Sequence, residues 1–290
     1  MTIDVQVHIF RRAMGVEPPP LAERLLEQMD AARVDKAILI SYEGKDILPD
    51  LNYDPNLIDV DTEYYRQAAA RWPERLIWFC NSIDPSQPYL EQVEYNLQRG
   101  AQGIKLFPAY IGTRPDDPRY DPLYELCRER NLPIIMAFER WNDPNLKACL
   151  HDYREFLGHF EGVASRYPEV QFLLTHWGCF SWGEQAEHHR QAPFPLLEPL
   201  GELLDRQANL STDIAAIQFA FSPAAQAQLL QALVARLGAE RVMYGTDWPW
   251  GGKASEMTKT VEFVAAAPFL GEKEKELILG GNAARFLGLG

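Results

Sequence analysis

Two hydrophobic periods alternate along the chain. Short runs rich in Val, Ile, Leu and Phe read as strands: "IDVQVHIF", "KAILIS", "LIWFCNS", "GIKLF", "PIIMAF", "QFLLTH", "NLSTDI" and "RVMYGTD". Between them the apolar positions recur at helical spacing, as in "LAERLLEQMDAA", "TEYYRQAAARW", "LEQVEYNLQR", "LYELCRER", "FLGHFEGVASRY", "LLEPLGELLDR" and "AAQAQLLQALVARL". "KAILIS", "PIIMAF" and "QFLLTH" are apolar almost throughout, as strands are when helices cover both faces of a parallel sheet. Eight such strands, each followed by a helix, predict an α/β fold of the (β/α)8 TIM-barrel kind, whose usual size is ~250 residues. A doubly wound open sheet competes, but the Gly-rich phosphate turn it would carry after the first strand is missing. No Gly-, Ser- or Pro-rich linker and no internal repeat interrupts the pattern, so residues 1–290 are expected to form one domain.

In the first strand, simple alternation places Asp4, Gln6 and His8 on one face. Two long connections, Tyr42 to Asp61 and Trp177 to Pro195, follow the C-terminal ends of the second and sixth strands. Barrel active sites are built at that end, and loops of such length serve there as lids or binding loops.

Composition narrows the partners. The 290 residues are 47% hydrophobic and 24% charged, with a net charge of −13. That balance opposes a nucleic-acid surface but leaves room for a small anionic substrate held by a local cation. Four cysteines, Cys80, Cys127, Cys149 and Cys179, show neither zinc-knuckle nor disulfide-framework spacing and read as reduced thiols. No stretch resembles a signal peptide or a membrane span, so a cytoplasmic protein with a small-molecule substrate and no membrane partner is expected.

Candidate chemistry comes from polar residues at the ends of apolar strands. The first strand gives Gln6 and His8, the fourth Lys105, the sixth His176, the seventh Asp213 and the eighth Asp247, with Glu139 and Arg140 just past the fifth. Two histidines at matching strand ends, with Asp247 returning beside the first strand, suggest one shared site. Such a group can hold a metal, or act as base and orienter without one. Asp247 alone would also read as a helix N-cap, and Asp213 as a turn-forming side chain. Lys105 would either bind a substrate carboxylate or carbonyl or form a structural ion pair. His188 and His189 sit in the charged stretch "EQAEHHRQ" and read as a solvated helix face, while His151 and His159 take no role. Trp141, Trp177, Trp182, Trp248 and Trp250 follow strands five, six and eight. With Phe138, Tyr244 and Phe180 they suggest flat apolar pocket walls for a planar or unsaturated substrate whose acid group meets Lys105 or Arg140.

In this order the motifs resemble the amidohydrolase superfamily. The match is to its amidohydrolase-related branch, which includes aminocarboxymuconate semialdehyde decarboxylase-like enzymes and dicarboxylate lactonases. The resemblance runs through "IDVQVHIF", "GIKLFP", "NLPIIMAFE", "LLTHWG", "NLSTDIA", "RVMYGTDWP" and "ILGGNAARFLGL". It implies that the family's first-strand ligand pair falls on Gln6 and His8, and its fifth-strand ligand on Ala137. Its sixth-strand catalytic His falls on His176 and its eighth-strand Asp on Asp247. Gln and Ala therefore stand where two metal-binding histidines are expected, with Glu139 the candidate to replace the second. Catalytic zinc wants three good protein ligands. The expected cofactor is thus none, or one loosely held divalent metal, zinc first, on His8, His176 and Asp247.

The reading that follows is a hydrolase of a small carboxylated lactone, ester or amide. Asp247, His176 and His8 would do the chemistry, and Gln6, Lys105, Glu139, Arg140, Trp177 and Trp248 would bind substrate. Non-oxidative decarboxylation or hydration of an unsaturated or aromatic acid is the first alternative, and a non-catalytic barrel that keeps its pocket is the second. A homodimer is the assembly that barrels of this kind commonly form.

Overall fold

The computed structural model describes residues 1–11, 18–41, 62–81, 84–138, 141–142, 150, 152–178, 186–252 and 256–289. Eight parallel strands pair in sequence order. They are β1 (Ile3–Val7), β2 (Lys36–Ile40), β3 (Leu76–Cys80), β4 (Gly103–Leu106), β5 (Ile134–Met136), β6 (Phe172–Leu174), β7 (Leu210–Asp213) and β8 (Val242–Met243). The ring closes through backbone hydrogen bonds between its ends. Val5 N donates to the Tyr244 carbonyl at 3.1 Å, Asp247 N to Gln6 at 2.9 Å and His8 N to Trp248 at 2.7 Å. The architecture is the TIM barrel that the alternating periods predict.

Helices α1 (Ala22–Ala32), α2 (Thr62–Arg71), α3 (Leu90–Gln98), α4 (Asp121–Arg130) and α5 (Tyr153–Arg166) follow the first strands on the outside. After β6 come a short α6 (Ala186–His189) and α7 (Leu197–Arg206); after β7 come α8 (Ile217–Ala220) and α9 (Pro223–Leu237). The chain ends with α10 (Met257–Ala265), α11 (Glu272–Glu276) and α12 (Asn282–Phe286). Apolar stripes on these helices pack on the outward side chains of the strands, including Leu39, Trp78, Met136 and Leu174. Burying such side chains is the main stabilising term of the fold, at roughly 25 cal/mol per Å².

A second, smaller core fills the barrel itself: Ile3, Val5, Ile38, Ile40, Phe79, Ile135, Leu173 and Met243, with Phe286 from α12 among them. The Phe286 ring stacks on Phe79 at 6.3 Å between centroids. Gly103 is required here, because a Cβ at this position would run into the Phe79 ring. Cys80 and Cys127 are free and buried, as expected of reduced thiols; Cys149 and Cys179 lie outside the described residues. Among those residues no helix is long and apolar enough to cross a membrane.

One feature of β1 departs from the simple alternation. Asp4 pairs with Ala37 and Val7 with Leu39, so three steps on β1 match two on β2. This β-bulge changes the strand's phase. Asp4 and Val7 face outward with Ala37 and Leu39, whereas Ile3 and Val5 join the interior core. Asp4 therefore does not share a face with Gln6 and His8, as uninterrupted alternation would have it.

Candidate active site

The bulge delivers Gln6 and His8 to the inside of the seam between β1 and the extension of β8. The Nδ1 atom of His8 lies 2.9 Å from the Ile40 carbonyl, which can only accept, so Nδ1 carries a hydrogen. Its Nε2 lies 3.2 Å from Oδ1 of Asp247. That contact joins the imidazole to the carboxyl across the seam. His176 is fixed in the same manner, with Nδ1 3.1 Å from the Ala215 carbonyl, leaving Nε2 as a lone pair. Gln6 Nε2 lies 3.0 Å from that lone pair and 3.0 Å from Asp247 Oδ1. Two acceptors on one atom identify it as the amide NH2. The amide oxygen of Gln6 is buried and meets no donor among the described residues.

Burial works to raise the pKa of Asp247. The hydrogen bonds with His8 and Gln6 outweigh it and hold the carboxyl below its ordinary range. Asp247 is also the group of the set that reaches outward, its side chain 11% exposed against 1% for His8. Three site residues without Gly character take left-handed backbone: His176 at φ 57°, Trp177 at φ 45° and Asp247 at φ 59°. Each such residue costs about 1–2 kcal/mol, and strain of this sort gathers at functional sites.

Lys105 points into the barrel, since its register partner is Ile135 of the interior core. Its ammonium sits 4.9 Å from the centre of the Phe107 ring. The same charge opposes the upward push that burial exerts on the carboxyl of Asp213. Asp213 combines both readings of the sequence. Its Oδ1 accepts from Ala215 N at 3.0 Å, closing a turn, and from His176 N at 2.9 Å, which orients a site residue.

Two supports lie outside the candidate residues. On the outer face, Asp4 accepts from Gln6 N at 3.1 Å, from Thr246 N at 3.1 Å and from Thr246 Oγ1 at 2.6 Å. It thereby ties the bulge to the turn that carries Asp247. Burial pushes Asp4 up to about 7 in spite of these bonds. Between its ordinary 3.8 and about 7 the folded chain keeps a proton that the unfolded chain has lost. This contribution to stability is therefore complete below 3.8 and gone above about 7. Denaturant titrations should show the wild type losing stability relative to Asp4→Asn across that interval, by on the order of 4 kcal/mol. A difference independent of pH would refute the assignment. Strand ends β2 and β3 supply Ser41 and Asn81, both buried, with Asn81 Nδ2 donating to the Ser41 carbonyl. The rule of polar residues at strand ends, applied to "KAILIS" and "LIWFCNS", would have found them.

The expectations for Phe138, Tyr244 and His189 are corrected. Phe138 and Tyr244 do not line the mouth. Phe138 packs on Phe156 and Phe160 of α5 at 4.9 and 4.7 Å, and the Tyr244 hydroxyl bonds to Thr260 of α10 at 2.7 Å. Trp141 packs on Tyr153 and Trp177 is fully buried against Phe221. Trp248 is buried beside His8, to which its carbonyl is bonded. His188 is exposed, but His189 is buried beside Trp141 rather than solvated. Ala137 faces the barrel interior and offers only a methyl group. Glu139, Arg140, His151, Phe180, Trp182 and the segment 42–61 lie outside the described residues, as do residues 179–185 of the connection after Trp177.

The metal set His8, His176 and Asp247 is brought together, yet the Gln6 NH2 lies between His176 and Asp247, pointing hydrogens where a cation needs lone pairs. Among the described residues no group of three His, Cys, Asp or Glu side chains is arranged to hold a metal ion. The donor set as built does not fit a divalent metal.

The profile of the family described as Amidohydrolase matches residues 3–289. No curated protein matches the chain in sequence. Solved structures of the same fold include an amidohydrolase from Burkholderia multivorans with bound zinc, 16% identical, with a TM-score of 0.70 over 99% of each chain. Another is a probable 2-pyrone-4,6-dicarboxylic acid hydrolase from Acinetobacter baumannii with citric acid bound, 13% identical, TM-score 0.69, again over 99% of each chain. A 5-carboxyvanillate decarboxylase from Sphingomonas paucimobilis is 19% identical, with a TM-score of 0.64 over 99% of this chain and 98% of that one. At such identities the likeness is one of fold.

Proposed function

The chain belongs to the amidohydrolase family, and from that premise we propose that it hydrolyses a small carboxylated lactone, ester or amide with Asp247 as general base. The observation that carries this reading is the state of Asp247. Hydrogen bonds with His8 and Gln6 hold its pKa low and pin one oxygen, and it is the outermost of the group. A carboxylate so placed takes a proton from water as the water oxygen adds to the substrate carbonyl. When the acyl bond breaks, that proton passes to the departing alkoxide or amine. Lys105 supplies positive charge for the substrate's acid group or for the developing oxyanion. The unmet Gln6 oxygen is an acceptor for a water or substrate hydrogen. His176 holds Gln6 in place, and His8 keeps Asp247 charged.

The test is a panel of carboxylated lactones, esters and amides run beside unsaturated and aromatic carboxylic acids, with proton release from the lactones and esters, amine release from the amides and carbon dioxide from the acids measured separately. Proton or amine release from the first group without carbon dioxide from the second is the expected result. Carbon dioxide evolution from the acids would replace hydrolysis with decarboxylation, and silence in both groups would leave a barrel that only binds.

A further inference from the structure

Position 6 is where the structure departs most from a metal enzyme. A cation in such a mouth holds inward-facing lone pairs together against their mutual repulsion. Here two N–H bonds of one carboxamide do this, directed at His176 Nε2 and Asp247 Oδ1, each 3.0 Å away. The third inward-facing atom, His8 Nε2, lies 3.2 Å from the same Asp247 oxygen. We infer that the Gln6 carboxamide takes the place of a divalent cation in this barrel, and that a latent metal site lies beneath it, opened by a single change at position 6.

The physical reason is competition for the same lone pairs. A metal entering the wild-type site would have to part His8 Nε2 from Asp247. It would also have to expel an amide that is 3% exposed, leaving its NH2 buried without acceptors. A buried polar group left without a partner is destabilising, because it has lost its water and gained nothing in return. Glu at position 6 has the shape of Gln but presents an oxygen where the NH2 now stands. With Asp247, His8 and His176 it makes a set of two carboxylates and two imidazoles, suited to zinc or cobalt. His at position 6 achieves the same with a third imidazole. The inference concerns metal occupancy and stands whether or not the hydrolysis proposed above is correct.

The experiment uses full-length wild type, Gln6→Glu and Gln6→His. Each is stripped with chelator, given excess cobalt(II) or zinc(II) and desalted. Metal is then counted by plasma emission, cobalt absorption recorded, and thermal unfolding followed with and without metal. The wild type should retain less than about a tenth of an equivalent, and at least one variant about one equivalent with cobalt ligand-field bands. A variant that folds only when cobalt is added also supports the latent site. Near-stoichiometric metal on the wild type would overturn the inference. So would two variants that retain none, whether folded without metal or unfolded even with it.

Discussion

Asp247→Asn is expected to lower kcat/KM by about 10³-fold or more, within the range that loss of a general base produces. The amide keeps the shape of the carboxylate, and its oxygen can still accept from Gln6 and His8, so the melting temperature should move little. What disappears is the capacity to take a proton from water. The pH profile gives a second check. Because hydrogen bonds with His8 and Gln6 hold Asp247 below its ordinary 3.8, the base stays ionised through the mildly acidic range. The acid limb of kcat/KM should therefore lie below about pH 4. Retention of activity within about tenfold in Asp247→Asn would remove this residue from the chemistry.

Lys105→Met should cost about 10²-fold in kcat/KM, chiefly through KM, and selectively for substrates that carry a free carboxylate. A charge-assisted hydrogen bond to a buried ammonium contributes roughly 1.5–3 kcal/mol, and Met preserves the length of the side chain while removing the charge. Comparison of a carboxylated lactone with its methyl ester separates the roles. Loss for the acid alone assigns Lys105 to substrate recognition. Equal loss in kcat for both assigns it to the oxyanion. No change in either would leave it as the counter-charge of Asp213, toward which its field is directed. With the ammonium gone, burial acts on that carboxyl with less opposition, so Asp213 should move further up and stability should fall as pH rises.

The barrel was legible because its strands are nearly continuous apolar runs, a pattern that burial on both faces imposes. All eight lie where those runs stand. Gln6, His8, Lys105, His176, Asp213 and Asp247 were legible as interior or strand-end polar groups because each interrupts such a run. The phase of the strands was harder to read. Nothing in "IDVQVH" announces the bulge, which is defined by pairing with β2, so the outward turn of Asp4 was hidden. Phe138 faces the helices because Ile135 and Ala137 already face in. The carbonyls of Ile40 and Ala215, which fix both imidazoles, are backbone atoms and leave no trace in residue identity. The left-handed turns at His176 and Asp247 carry no glycine to mark them.

The ring's closure sets when the protein can first work. Gln6 and His8 wait for a carboxylate 239 and more residues downstream. On the proposed mechanism a nascent chain thus carries Gln6 and His8 long before Asp247 is made and stays inert until the segment after β8 arrives. Turnover, once it begins, doubles as a report that β1 and β8 have met.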